Sequence, residues 1–154
     1  MKKIIMLCVM VSAIASTIRA GDEPGTNQFT EEKLNSIERN MVLTLESSIP
    51  GIQASAAQTV RDLKRLAPDY SFSRLVIPLM RILKDSNGET GPKILAALAL
   101  HELGSEMGDF TIRRVAQFSE VPQLKRLCTW MVYERMVEQG RIVAREDFAN
   151  KGSR

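Results

Sequence analysis

Apolar residues recur at intervals of three and four along most of the chain, which is the spacing of one face of an α-helix. The first such stretch contains Leu34, Ile37, Met41 and Leu45. Nowhere does the sequence show the run of alternating β-branched residues that is typical of a half-buried strand. The pattern therefore predicts an all-α chain.

Glycine and proline, the residues most typical of turns, interrupt this pattern at regular distances. The interruptions lie at Pro50-Gly51, Pro68-Asp69, Asn87-Gly88, Gly91-Pro92, Gly108 and Pro122. Between them, the apolar spacing predicts six helices, over residues 30–48, 51–67, 72–85, 91–105, 109–118 and 121–139. Because the connections are short, neighbouring helices are expected to form antiparallel hairpins.

The first 20 residues have the composition of a secretory signal peptide. Lys2 and Lys3 precede an apolar run over residues 4–14, and small residues follow as far as Ala20. Cleavage is expected after Ala20, with Ala15 as the alternative. A retained membrane anchor is the competing interpretation, but a spanning helix needs about 20 apolar residues. The chain is therefore expected to be periplasmic or extracellular, with no stable membrane insertion after cleavage.

Cleavage would change both the charge and the thiol content of the chain. Lys and Arg residues fall from 21 to 18 when Lys2, Lys3 and Arg19 are removed, and the 18 Asp and Glu residues all remain. Nucleic-acid-binding proteins usually carry a net positive charge, so a nucleic acid is not expected as a partner. Loss of Cys8 leaves Cys128 without a disulfide partner in the same chain. Cys128 is expected to be buried and inert, with redox or intermolecular pairing as the alternative.

The helical part of the sequence contains an internal repeat. A shift of 40 residues aligns two alanine-containing segments, so that Ala56, Ala57, Val60 and Leu63 correspond to Ala96, Ala97, Leu100 and Leu103. A weaker third copy contains Leu124, Cys128 and Met131. Small residues in each copy are expected where a neighbouring helix approaches closely. One hairpin cannot bury its own apolar face, whereas about three stacked hairpins can.

The stretch over residues 79–104 resembles the junction of two HEAT-type helical repeats. An apolar helix ends there in Leu-x-Asp at Asp85, and a short linker leads to the basic residue Lys93. The next helix has the pattern Ala-Ala-x-Ala-Leu and ends at Gly104. The resemblance implies a right-handed stack of helical hairpins. It also implies a binding scaffold, because members of this class mostly lack catalytic residues.

These observations divide the chain into four segments. A signal peptide is expected at residues 1–20 and a flexible leader at residues 21–29. A HEAT-like repeat domain is expected at residues 30–139, and a polar tail, with a capping helix as the alternative, at residues 140–154. The predicted fold is thus a short α-solenoid of about three antiparallel helical hairpins.

His101 is the chain's single histidine, and it begins a His-Glu pair of the kind found on zinc-protease helices. That motif needs a second histidine four residues later, where this sequence has Ser105. A small metal-dependent hydrolase that uses His101, Glu102 and Glu106 is therefore the alternative interpretation. The preferred one is a structural histidine buried between helices. No cofactor, metal or catalytic residue is expected.

The last predicted helix has a second stripe beside its core-facing residues. Its members, spaced by four, three and four, are Arg126, Trp130, Tyr133 and Val137. Trp, Tyr and Arg are the residues most enriched at binding hot spots, and a terminal helix has a neighbour on one side only. The chain is therefore predicted to be a protein-binding scaffold or adaptor whose partner is another, unidentified protein. A regulatory subunit of an envelope complex is a further alternative.

The tail offers a competing cover for this stripe. Ile142, Val143 and Phe148 are apolar and follow the last predicted helix closely. Folded back, they would shield Trp130 and Tyr133 within the chain itself. The sequence favours this internal cap over a docking face.

Overall fold

Six α-helices and one 3₁₀ turn form the regular structure of residues 30–141, which are the residues that the computed structural model of the chain describes. The helices are α1 (Glu31–Leu45), α2 (Pro50–Leu66), α3 (Val76–Lys84), α4 (Thr90–Leu103), α5 (Glu106–Phe118) and α6 (Pro122–Glu138). The 3₁₀ turn, Ser73–Leu75, leads directly into α3. The predicted all-α class is confirmed for this part of the chain.

Helix α5 begins at Glu106, three residues before its predicted start at residue 109. Gly108 was expected to precede this helix, but it is buried inside the first turn. Ser105 caps the helix, because its Oγ accepts a hydrogen bond from the Gly108 amide at 3.1 Å. A Cβ atom at Gly108 would lie 2.8 Å from that Oγ and 3.3 Å from Leu100 Cδ2. Glycine is therefore needed here because α5 approaches α4 closely, and not because a helix ends.

Helix α3, by contrast, begins at Val76, later than the predicted residue 72, because Phe72 has a left-handed backbone conformation with φ of 45°. This conformation costs a residue with a bulky side chain roughly 1–3 kcal/mol. Burial offsets the cost, since Phe72 is fully shielded from solvent. Its ring contacts Tyr70 edge to face, with centroids 4.7 Å apart.

A buried carboxylate ties this loop to α1. Glu38 is 3% exposed and accepts hydrogen bonds from the Arg74 amide at 2.9 Å and from the Tyr70 hydroxyl at 3.2 Å. Burial, and then the negative charge of Glu38, raise the pKa of Tyr70 above its ordinary value. The two hydrogen bonds satisfy a charged group that would otherwise be costly to bury.

Helix α4 lies at the centre of the fold and contacts α2, α3, α5 and α6. Both alanine pairs of the internal repeat lie in the core: Ala56, Ala57, Ala96 and Ala97 are at most 2% exposed. Since α2 and α4 contact each other, small side chains on both helices allow the close approach that the repeat predicted.

Contacts between the helices follow two rules. Consecutive helices contact each other within the pairs α1 with α2, α3 with α4, and α5 with α6, and α4 also contacts α5. Alternate helices also contact each other, namely α1 with α3, α2 with α4, α3 with α5, and α4 with α6. Both helices of one pair therefore contact helices of the next pair.

The predicted signal peptide (1–20), the leader (21–29) and the tail beyond residue 141 lie outside the described residues. Within residues 30–141, none of the helices combines the length and the apolar character that a membrane span requires.

Candidate functional site

Helix α6 packs one face against the core. Of the predicted core stripe Leu124, Leu127, Cys128 and Met131, Leu127 is partly buried and the other three are each at most 3% exposed. Burial raises the pKa of the Cys128 thiol to about 11. Since the thiolate is the reactive form, Cys128 has neither the accessibility nor the ionisation of a nucleophile.

The second stripe of α6 lies at the surface of the described structure. Trp130 is 52% exposed and Tyr133 is 43% exposed. Arg126 is also exposed, and Val137 is half-buried. The tail residues Ile142, Val143 and Phe148, predicted as an alternative cover, lie outside the described residues. Among residues 30–141, the sequence-predicted stripe therefore forms an outward aromatic surface.

His101 lies at the edge of this surface. Its Nε2 atom is 2.9 Å from a carboxylate oxygen of Glu134, and its ring centroid is 6.2 Å from that of Trp130. The expectation of a buried histidine needs correction, because 15% of the side chain remains exposed. The physical reason is that the imidazole faces Glu134 of α6, which is itself 39% exposed and keeps the contact close to water.

The residues of the alternative hydrolase site have separate partners. His101 contacts α6, whereas Glu102 forms an ion pair with Arg65 of α2 at 3.3 Å. Glu106 is exposed in the first turn of α5. In the part of the chain that the structure describes, no three His, Cys, Asp or Glu side chains are grouped in a way that could hold a metal ion.

Arg135 is the central residue of a contact between three helices that the sequence analysis missed. Its Nη2 donates to the main-chain oxygen of His101 at 2.6 Å, and its Nε is 3.3 Å from Asp109 of α5. Its Nη1 also pairs with Glu138 at 2.9 Å. A partly buried Arg135 thus joins α4, α5 and α6 beneath the aromatic surface. The sequence offers only a weak signal for it: Gly104 marks a helix end whose last carbonyls need donors.

A groove of about 600 Å³ lies between α3 and α5 and was also missed. Phe110 and Phe118 line it and are 57% and 71% exposed, respectively. Lys93, from the first turn of α4, lines it as well but is only 7% exposed. The available sequence signal was the spacing of Phe110, Arg114 and Phe118, which places all three on one face of α5.

The two polar positions of the HEAT-like pattern do not pair with each other. Asp85 accepts a hydrogen bond from the Asn87 amide at 2.9 Å, within its own loop. Lys93 takes part in none of the ion pairs between described residues.

Comparisons of the chain with protein-family models, with curated proteins and with solved structures found no match. The resemblance to HEAT repeats therefore rests on the residues at 79–104 alone.

Proposed function

We propose that the chain is an exported protein-binding scaffold built as a short HEAT-like stack of three antiparallel helical hairpins. The contacts between consecutive helices and between alternate helices support this arrangement, because a stack of hairpins requires both kinds. Export is supported by the composition of the first 20 residues.

The partner surface that we propose is the outward stripe of α6. The observation that carries the proposal is the exposure of Trp130, 52%, on a helix whose opposite face packs against the core through Leu124, Cys128 and Met131. Large aromatic residues at a protein surface are typical of binding hot spots. Arg126 adds a donor that can pair with a carboxylate or a main-chain carbonyl of the partner.

This surface would bind its partner as a rigid, preformed face, without any covalent step. Arg135 holds α6 against α4 and α5 through contacts of 2.6 and 3.3 Å, so the aromatic side chains project from an ordered support. A pre-organised surface loses less conformational entropy on binding than a flexible one. The partner would cover the open side of the last hairpin.

Site-specific photo-crosslinking tests the proposal. A photoreactive phenylalanine analogue at position 126 should crosslink one protein species in the intact envelope fraction of the source cells. The matched control places the same analogue at Leu43, which is 70% exposed on α1. That position should not crosslink the same protein. Equal crosslinking from both positions, or crosslinks at position 126 only to a second copy of the chain, would contradict a partner-specific surface on α6.

A further inference from the structure

The groove between α3 and α5 has the dimensions and the lining of a small-molecule site. Its volume of about 600 Å³ lies within the range of roughly 300–1,000 Å³ that is typical of ligand sites. Buried side chains of Leu83 and Leu124 contribute to its lining, and the exposed rings of Phe110 and Phe118 contribute as well. The lining is therefore mainly apolar, and it lies apart from the aromatic stripe of α6.

One cation in this groove has no partner. Lys93 is 7% exposed, yet no hydrogen bond or ion pair with another described residue reaches its ammonium group. The Lys93 ammonium nitrogen is not among the buried side-chain nitrogens of the described residues that lack a hydrogen-bond partner, so the buried part of this side chain is its aliphatic stem. An unpaired ammonium group that lines a groove, on a stem held in place by burial, indicates a place for an anion.

The position of Lys93 in α4 strengthens this indication. The first turn of α4 has no acidic residue, and the side chain of its N-cap residue, Glu89, makes no capping hydrogen bond. A cation near a helix N-terminus is unfavourable because the helix dipole is positive there. An anion beside Lys93 would be attracted by the ammonium group and by this end of the helix.

The charges of the groove favour an anion with a single negative charge. Lys84 and Arg114 line it together with Lys93, but so do the carboxylates of Asp85 and Glu120. The net charge of the lining is thus small, and the two carboxylates would repel a multiply charged head group. The buried Thr111 hydroxyl donates to the Met107 carbonyl at 3.0 Å and the Ser119 hydroxyl accepts from the Val121 amide at 3.2 Å, so these two groups are less available to a peptide main chain.

We propose that this groove binds a single-chain amphiphilic carboxylate of the fatty-acid type. The carboxylate would pair with Lys93, and the acyl chain would lie along the apolar lining between Phe110 and Phe118. The carboxylate would then meet an ammonium group that has no partner among the described residues, and the acyl chain would cover exposed aromatic rings.

Isothermal titration calorimetry of the full chain with dodecanoate, kept below its critical micelle concentration, tests this proposal. One molecule is expected to bind per chain. Lys93→Met keeps the length and the apolar stem of the side chain but removes the charge, and it should weaken binding at least about tenfold, as expected for the loss of a charged hydrogen bond. Lys33→Met, at an exposed lysine of α1, is the matched control and should leave the affinity unchanged.

Two further measurements separate the contribution of the ligand's head group from that of its acyl chain. Dodecanol, which lacks the charge, should bind the wild type about as weakly as dodecanoate binds Lys93→Met. Phe118→Ser alters an exposed ring and should weaken dodecanoate and dodecanol by the same factor. The proposal is overturned if dodecanoate does not bind, if several molecules bind per chain, or if Lys93→Met binds it as tightly as Lys33→Met does.

Discussion

The guanidinium group of Arg135 donates to the main-chain oxygen of His101 at 2.6 Å, so that a side chain of α6 satisfies a carbonyl in the last turn of α4. The same guanidinium group lies 3.3 Å from Asp109 of α5. One residue therefore links the three helices that support the proposed partner surface.

We predict that Arg135→Met lowers the free energy of unfolding by roughly 1–3 kcal/mol, because the main-chain carbonyl of His101 loses a charged donor and Asp109 loses its ion-pair partner. Chemical denaturation followed by circular dichroism measures the change. Arg39→Met, at an exposed arginine of α1, serves as the control and should change the stability by less than about 0.5 kcal/mol. Equal stabilities of the two variants would show that Arg135 does not hold the helices together.

His101→Leu should leave the fold intact and change the free energy of unfolding by no more than about 1 kcal/mol, because an apolar group of similar size replaces a paired one. The carboxylate of Glu134 loses its contact but stays hydrated, since 39% of that side chain is exposed. Denaturation curves and metal analysis of both proteins check this. Stoichiometric zinc in the wild type that is absent from the variant would support the hydrolase alternative instead.

Periodicity was sufficient to locate the helices, because burial of an apolar face depends on local spacing. Helix α6 was predicted at 121–139 and spans Pro122–Glu138. The start of α5 was missed because glycine signals both a turn and a close helix contact, and only the position of Leu100 shows which applies at Gly108.

Of the candidate sites, the sequence could predict the stripe of α6 but not the Arg135 contact or the groove. The outward stripe of α6 follows from residues spaced by three and four, so the sequence was enough to find it. The contact of Arg135 with His101 joins residues 34 positions apart, and spacing along the chain contains no information about such a pair. The groove likewise depends on bringing Lys93 near the two exposed rings of α5.

The close approach of α2 and α4 predicts a large effect at Ala97, which is fully buried. Ala97→Asp places an unpaired carboxylate in the core and should destabilise the chain by several kcal/mol, roughly 3 or more. Thermal unfolding measures the effect. Ser55→Asp introduces the same side chain at an exposed position of α2 and should melt close to the wild type. If both variants melt alike, the alignment of the repeats is wrong.

Cys128 should resist alkylation in the folded chain, since it is fully buried and burial raises its pKa to about 11. Iodoacetamide labelling at pH 8, read by mass spectrometry of the peptide that contains Cys128, should show little product until denaturant is added. Rapid labelling under native conditions would mean that this face of α6 opens readily.

The raised pKa of Cys128 also predicts the sign of a pH effect. The unfolded thiol ionises near its ordinary value of 9.0, before the folded one does. The stabilisation from keeping the thiol neutral is therefore complete below pH 9 and is lost as the pH rises toward 11. Between these values, the wild type should lose more stability than Cys128→Ala, and a parallel decline of both would contradict the shift.

The affinity for the protein crosslinked at position 126 tests the central claim most directly, and the chain's single tryptophan reports it through its fluorescence. Trp130 emission should shift to shorter wavelength when the partner is added. Trp130→Ala combined with Tyr133→Ala, measured calorimetrically, should weaken binding about a hundredfold or more, as expected for hot-spot residues. Leu43→Ala combined with Leu66→Ala, at side chains 70% and 66% exposed on α1 and α2, should bind as the wild type does. Equal affinities of the two double variants, together with a Trp130 emission that the partner does not change, would contradict a binding surface on α6.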